Sequence, residues 1–268
     1  MTKTPVVRGE WPPGIPYFRL GSGAPLVYLP GLSGSPHLPS GAGLWMQGRL
    51  LAPFARRRDV VWMHWSEGLV APVTMAQIAA APAAAIGPHL PAPLDVVGVS
   101  TGGSVALQLA LDHPELVRRL VIVSAAHRLS DHGRQVQRDL AAAVHTGRTR
   151  RAGATMGAEV AASAAGSALF GAAGWLMGRS TFAHAGAELL AVIEAEDDFD
   201  VGDRLGQVAA PTLVIGAERD RFYTPQLFRE TAARIPDGRS IVYPGVGHLG
   251  TTLHRRYHRD VLAFLTGR

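Results

Sequence analysis

Short apolar runs rich in β-branched residues recur along the chain, separated by longer stretches whose apolar residues fall at helical spacing. Residues 26–29 (LVYL), closed by Pro30-Gly31, and residues 58–65 (RDVVWMHW) read as buried strands. Residues 74–89 carry Ala and Ile at helical spacing behind a Thr74 cap, and 94–99 (LDVVGV) return to the strand pattern. A helix over 100–112 is stopped by His113-Pro114, because a residue before proline avoids helical backbone. A strand then runs to about Ala125. Towards the C-terminus the pattern predicts a strand from Ala210, a helix (TPQLFRETAARI), a strand (RSIVYPG) and one closing helix (TTLHRRYHRDVLAFLTG).

Strands alternating with helices predict an α/β fold with a mostly parallel central sheet flanked by helices. The alternation stops between about His127 and Val201, where Ala, Gly and Ser dominate and helices follow one another without a strand. The expected organisation is one core domain, residues 1–126 and 202–268, with a helical insertion at 127–201. The small-residue segment AASAAGSALFGAAGWLMG within it reads as tight helix packing or a mobile lid rather than a membrane span, since Ser163 and Ser167 interrupt it.

Composition changes this picture little. A chain of 268 residues, 47% of them hydrophobic, can bury one sizeable core. The N-terminal stretch has no apolar run behind a basic start, so neither a signal peptide nor a membrane span is expected and the cytoplasm is the expected location. The absence of cysteine removes disulfides, thiolate metal sites and a cysteine nucleophile. The net charge of +5 comes almost wholly from arginine, with Lys3 the single lysine. No aromatic residues interleave with the arginine runs at 56–58 and 148–151, which argues for solvated faces and against nucleic-acid binding. The expected partner is a small-molecule substrate, with no cofactor and no metal, and the oligomeric state is not legible.

Candidate chemistry starts at Gly98-Val99-Ser100-Thr101-Gly102, a G-x-S-x-G motif. With 31 glycines in the chain, chance alone supplies roughly 0.17 such matches, so position must carry the argument. The serine stands between a predicted strand and a predicted helix, where a tight turn pushes its hydroxyl past the sheet edge and needs small residues two before and two after. The free N–H groups at the start of that helix point where an oxyanion would form. A serine nucleophile needs a base, and the base needs an orienting acid. His248 lies on a glycine-rich loop after the last strand, and Asp220 lies just past the end of the preceding one. Glu218 is the nearby alternative to Asp220. The acids Asp197, Asp198, Asp200 and Asp203 read as a solvated cluster and not as a metal site.

Taken together, LVYLPGLSGS, VVGVSTGGSVALQLALDHPELVRRLVIVSAA, APTLVIGAERDRFYTP and GVGHL resemble the α/β-hydrolase family over nearly the whole chain. The resemblance implies Ser100 as nucleophile, His248 as general base and then acid, and Asp220 as its orienting carboxylate. It also implies an oxyanion hole formed by the backbone N–H groups of Leu32 and Thr101, although Pro30-Gly31 stands where many members carry His-Gly, and a cap formed by the insertion. Trp45, His64, Trp65 and His127, near predicted strand ends, and Trp175 and Met177, in the insertion, are candidate pocket walls. The implied activity is hydrolysis of a carboxylic ester, thioester or lactone of a small, mainly apolar molecule. The same scaffold supports C–C bond hydrolysis, perhydrolysis, cofactor-free oxygenation and lyase chemistry, and a non-catalytic ligand receptor can keep the fold. Dehalogenation and epoxide hydrolysis are disfavoured because those members carry aspartate where Ser100 stands.

Overall fold

The computed structural model describes residues 6–34 and 37–267. The first residues of the stretch read as lacking a signal peptide, 1–5, lie outside them. An eight-stranded sheet runs in the order β1-β2-β4-β3-β5-β6-β7-β8. Its parallel part comprises β3 (Ala24–Leu29), β4 (Arg58–Met63), β5 (Leu94–Val99), β6 (Val117–Val123), β7 (Thr212–Ala217) and β8 (Gly238–Tyr243). The mostly parallel sheet flanked by helices is the architecture that the alternation predicts.

The parallel strands are buried on both faces, so their apolar residues divide by side-chain period. Leu29, Val61, Val96, Ile122 and Val214 pack on one side with α2 (Met75–His89), α3 (Thr101–Asp112) and α8 (Pro225–Arg234). Tyr28, Trp62, Val97, Val121 and Ile215 pack on the other with α1 (Gly41–Ala55) and α10 (Tyr257–Leu265). The core therefore clamps β5 between two apolar layers, and Ser100 leaves the end of β5 from a rigid base.

Four features differ from the sequence expectation. An antiparallel hairpin, β1 (Val7–Trp11) and β2 (Ile15–Gly21), extends the sheet beyond β4; it turns at Gly14, whose φ of 88° suits glycine. Helix α1 was not expected, since Gly41, Gly43, Gly48 and Pro53 all lower its propensity; burial of Leu51 and Phe54 against the sheet overrides that. The strand expected to reach Ala125 ends at Val123, where Ser124 turns away with φ 49°. The single closing helix is two, α9 (Gly250–Leu253) and α10, because His254 adopts extended backbone.

Between β6 and β7 stand four α-helices, α4 (Asp131–His145), α5 (Thr149–Glu159), α6 (Ala164–Thr181) and α7 (Ala187–Asp197), followed by a short 3-10 helix (Gly202–Gln207). The ends of this excursion meet, with Val201 N–H donating to the His127 carbonyl at 3.1 Å and Arg128 bridging to Asp200. Helices α5 and α6 touch backbone to backbone: a Cβ on Gly153 would lie 2.1 Å from the Gly174 carbonyl oxygen. That contact is the tight packing the small residues foreshadow. Among the described residues no helix is long and apolar enough to cross a membrane.

Candidate active site

Ser100 sits between β5 and α3 with φ 53° and ψ −126°, in the left-handed half of backbone space that a side chain normally avoids. Glycines on both sides permit this turn. A Cβ on Gly98 would lie 2.2 Å from the Gly102 carbonyl oxygen, and one on Gly102 would lie 2.3 Å from the carbonyl oxygens of Leu29 and Pro30. The strained conformation is held by Ser100 N–H donating to the Val123 carbonyl at 2.8 Å and by the Ser100 carbonyl accepting from Gly103 N–H at 2.6 Å.

The loop after β8 brings His248 Nε2 to 3.0 Å from Ser100 Oγ, and its Nδ1 lies 2.8 Å from Asp220 Oδ2. The other carboxylate oxygen of Asp220 accepts from the Phe222 and Tyr223 amides at 2.9 and 3.1 Å, so this buried group is satisfied and fixed in aim. Burial alone would depress the His248 pKa. The charge of Asp220, its hydrogen bond and the more distant Glu196 outweigh burial and raise the pKa above the usual 6.5. Glu218 turns away and accepts from the Gly245 amide at 2.7 Å. Of the acidic cluster, Asp198, Asp200 and Asp203 are exposed and Asp197 is half-buried beside Arg138.

Leu32 and Ser100 border one cavity of about 260 Å³, and the first N–H of α3, on Thr101, has no intrahelical acceptor. Among the described residues neither the Leu32 nor the Thr101 amide donates to a protein acceptor. The remaining wall is largely apolar and comes from Leu129, Met156, Val160, Phe222 and Leu249. Met156 and Val160 belong to the insertion, as does Gln137, whose buried Oε1 is without a hydrogen-bond partner.

The structure does not bring the expected wall residues to this cavity. Trp45 is exposed on α1 under Arg49, and Trp65 is core, packed against His64 at 3.7 Å between ring centroids. His127 is buried against Thr231, its ring 2.9 Å from the hydroxyl. Trp175 and Met177 lie on the solvent side of α6, because the glycine face of that helix turns towards α5; the Trp175 ring instead carries the Arg150 guanidinium at 4.1 Å. His64 lines a separate cavity.

Glu196 escaped the sequence reading. It is 1% exposed and accepts from Thr101 Oγ1 (2.8 Å), Ser104 Oγ (3.1 Å), Gln137 Nε2 (2.8 Å) and Tyr223 OH (3.1 Å). These partners tie α7 to the start of α3, to α4 and to the loop that carries Asp220. Glu196 lies in the last turn of α7, where the helix dipole disfavours negative charge, so donors from other elements must hold it. Its signal was phase: Leu189, Val192, Ile193 and Glu196 form one stripe, and the stripe is buried. Ser124, also unforeseen, donates to the His248 carbonyl at 3.2 Å and lies within hydrogen-bond distance of Thr251 Oγ1 at 2.8 Å, which pins the histidine loop to β6.

A family model described as the alpha/beta hydrolase fold matches residues 24–252. A Klebsiella pneumoniae (strain 342) protein, provisionally named carbamate hydrolase RutD, is 29% identical over 242 residues, 84% of this chain and 85% of the relative. Among solved structures, the enol-lactonase of Burkholderia xenovorans LB400 superposes with a TM-score of 0.78 at 21% identity, covering 97% of this chain and all of that one. The homoserine O-acetyltransferase of Staphylococcus aureus gives 0.77 at 18% identity, covering 98% and 95%. At such identities the two structures speak for the fold alone.

Proposed function

The chain belongs to the α/β-hydrolase-fold family, and from that premise we propose that it is a serine hydrolase that cleaves a carboxylic ester, thioester or lactone through an acyl-enzyme. The observation that carries the reading is the continuous relay of 3.0 Å and 2.8 Å contacts from Ser100 through His248 to Asp220. His248 takes the Ser100 proton as Oγ attacks the carbonyl carbon, and the Leu32 and Thr101 amides hold the resulting oxyanion. The imidazolium, stabilised by Asp220, protonates the leaving oxygen or sulfur as that bond breaks. Water then gives a proton to His248 as its oxygen attacks the acyl carbon, and the imidazolium returns that proton to Ser100 Oγ as the bond from Oγ to the acyl carbon breaks and the acid leaves. The helices of residues 127–201 act as the cap, and the apolar residues around the cavity favour a small, mainly apolar substrate.

The 29% likeness to the Klebsiella protein supports a second reading, hydrolysis of a carbamate, whose carbonyl carbon offers Ser100 the same point of attack. One experiment tests the serine mechanism for both. With a 4-nitrophenyl ester and a 4-nitrophenyl carbamate, Ser100→Ala is expected to lose about six orders of magnitude in turnover. Near wild-type rates in that variant would end the proposal.

A further inference from the structure

Helix α6 turns its apolar residues to solvent. Its inner side is set by glycine, since Gly174 and Gly178 meet the backbone of α5 at Gly153 and Thr149. At about 3.6 residues per turn, Leu169, Ala173 and Leu176 fall on the side opposite that contact. Leu169, Leu176 and the neighbouring Met177 are 69%, 70% and 61% exposed, and Phe170 and Trp175 on the two flanks are exposed as well. Of the 18 residues of α6 only Gly178 is buried. Large apolar side chains gathered on one exposed face mark a contact surface.

Charge says what the contact is with. Helices α5 and α6 run antiparallel, so the start of α5 and the end of α6 share one end of the pair. That end carries Arg148, Arg150, Arg151 and Arg179. Arg148, Arg151 and Arg179 are exposed, and Arg150 holds its guanidinium 4.1 Å from the Trp175 ring. Among the described residues none of the four forms an ion pair. Glu159, the single acid between residues 146 and 187, lies at the other end of α5 and is held by His132 at 2.9 Å and Arg221 at 3.2 Å. A second copy of this face therefore brings no free charge to answer the arginines.

The apolar face ends at Ser180, whose hydroxyl donates back to the Met177 carbonyl at 2.8 Å. Protein interfaces are normally laced with hydrogen bonds, whereas acyl chains ask for none. An apolar helix face with unpaired arginines at one end matches a lipid surface, with hydrocarbon beneath an anionic headgroup layer. We propose that α6 docks flat on an anionic membrane surface, with Leu169, Leu176 and Met177 entering the acyl region and Arg148, Arg151 and Arg179 meeting the headgroup phosphates. The helix lies on the bilayer and does not cross it. Helix α5, on its inner side, lends Met156 and Val160 to the Ser100 cavity, so the docked face stands one helix away from the candidate active site. Docking of this face does not depend on the serine mechanism.

The test is sedimentation of the wild-type protein with vesicles of phosphatidylcholine alone and of equimolar phosphatidylcholine and phosphatidylglycerol. Binding to the anionic vesicles is expected to be tighter by about tenfold or more, because several arginines act at the surface, and to weaken as salt is added. Leu169→Glu combined with Leu176→Glu, and separately Arg148→Glu combined with Arg151→Glu, should each lower that binding by about tenfold. Both double variants should keep the wild-type circular dichroism and urea midpoint, since the replaced side chains are exposed. Brominated lipid in the anionic vesicles should quench tryptophan fluorescence in the wild-type and Trp45→Phe proteins, and much less in Trp175→Phe. Equal binding to both kinds of vesicle, or binding that survives both double substitutions, would overturn the assignment. No binding to either kind would also overturn it and leave the face to an acidic protein. A dimer in sedimentation velocity that Leu169→Glu with Leu176→Glu dissolves would give the face to a second copy instead.

Discussion

Glu196 and His64 are both titratable and both 1% exposed, yet their surroundings are opposite. Glu196, behind the Ser100 cavity, accepts four hydrogen bonds from four different side chains. His64, on the wall of the neighbouring cavity, has neither ring nitrogen bonded. Burial is the same and satisfaction is not: Glu196 holds the scaffold through its donors, whereas the His64 ring is sealed in without a polar partner. The donors on Glu196 come from α3, α4 and the Asp220 loop, so its network joins three of the pieces on which the proposed reaction depends.

Substitutions can break this contrast. Glu196→Ala leaves four buried donors without their acceptor, and is expected to destabilise the fold by about 3–5 kcal/mol, read as a lower midpoint in urea unfolding. A loss under about 1 kcal/mol would show that the network behaves like a surface ion pair and holds nothing together. Glu196→Gln keeps the shape and should cost about 1–2 kcal/mol. It also removes one of the charges that raise the His248 pKa.

That second effect has a sign that can be measured. The base must be neutral to act, so kcat/KM of the wild-type protein should rise with pH through an apparent pKa above 6.5. In Glu196→Gln the limb should move to lower pH, whereas a purely structural role would leave it in place. The same raised pKa adds stability that is fully present below about pH 6.5, the unfolded value, and is lost as pH rises through the folded value. His64→Phe sharpens the contrast from the other side. It removes unmatched polar atoms and fills the space with apolar ones, so stability should change by less than about 1 kcal/mol, in either direction. A loss as large as that of Glu196→Ala would show that His64 holds the fold as Glu196 does.

What could be read from the sequence followed the same division. The elbow was legible because its mechanics are local: Gly98 and Gly102 flank a serine where a strand pattern gives way to a helix pattern. His248 and Asp220 were legible because strand ends share one rim of a parallel sheet. Glu196 was hidden because a charged residue on an otherwise apolar stripe only makes sense once its donors, distant in sequence, are in place. Helix α1 was hidden by its glycines and Pro53, whose unfavourable propensity is offset only by packing against the sheet. Trp45 was expected at the cavity from its place near a predicted strand end, and Trp175 and Met177 from theirs in the insertion; which face of a helix they occupy depends on what the opposite face packs against. The wall instead draws on Met156, Val160 and Phe222, which have no distinguishing local pattern.

The central claim is that His248 and Asp220 activate Ser100 as a nucleophile, and the most direct test is covalent labelling with a fluorophosphonate, with the adduct located by peptide mass spectrometry. A single adduct on Ser100, formed quickly in the wild-type protein and far more slowly in His248→Ala, is the predicted result. No adduct, an adduct on another serine, or equal labelling in both proteins would contradict it.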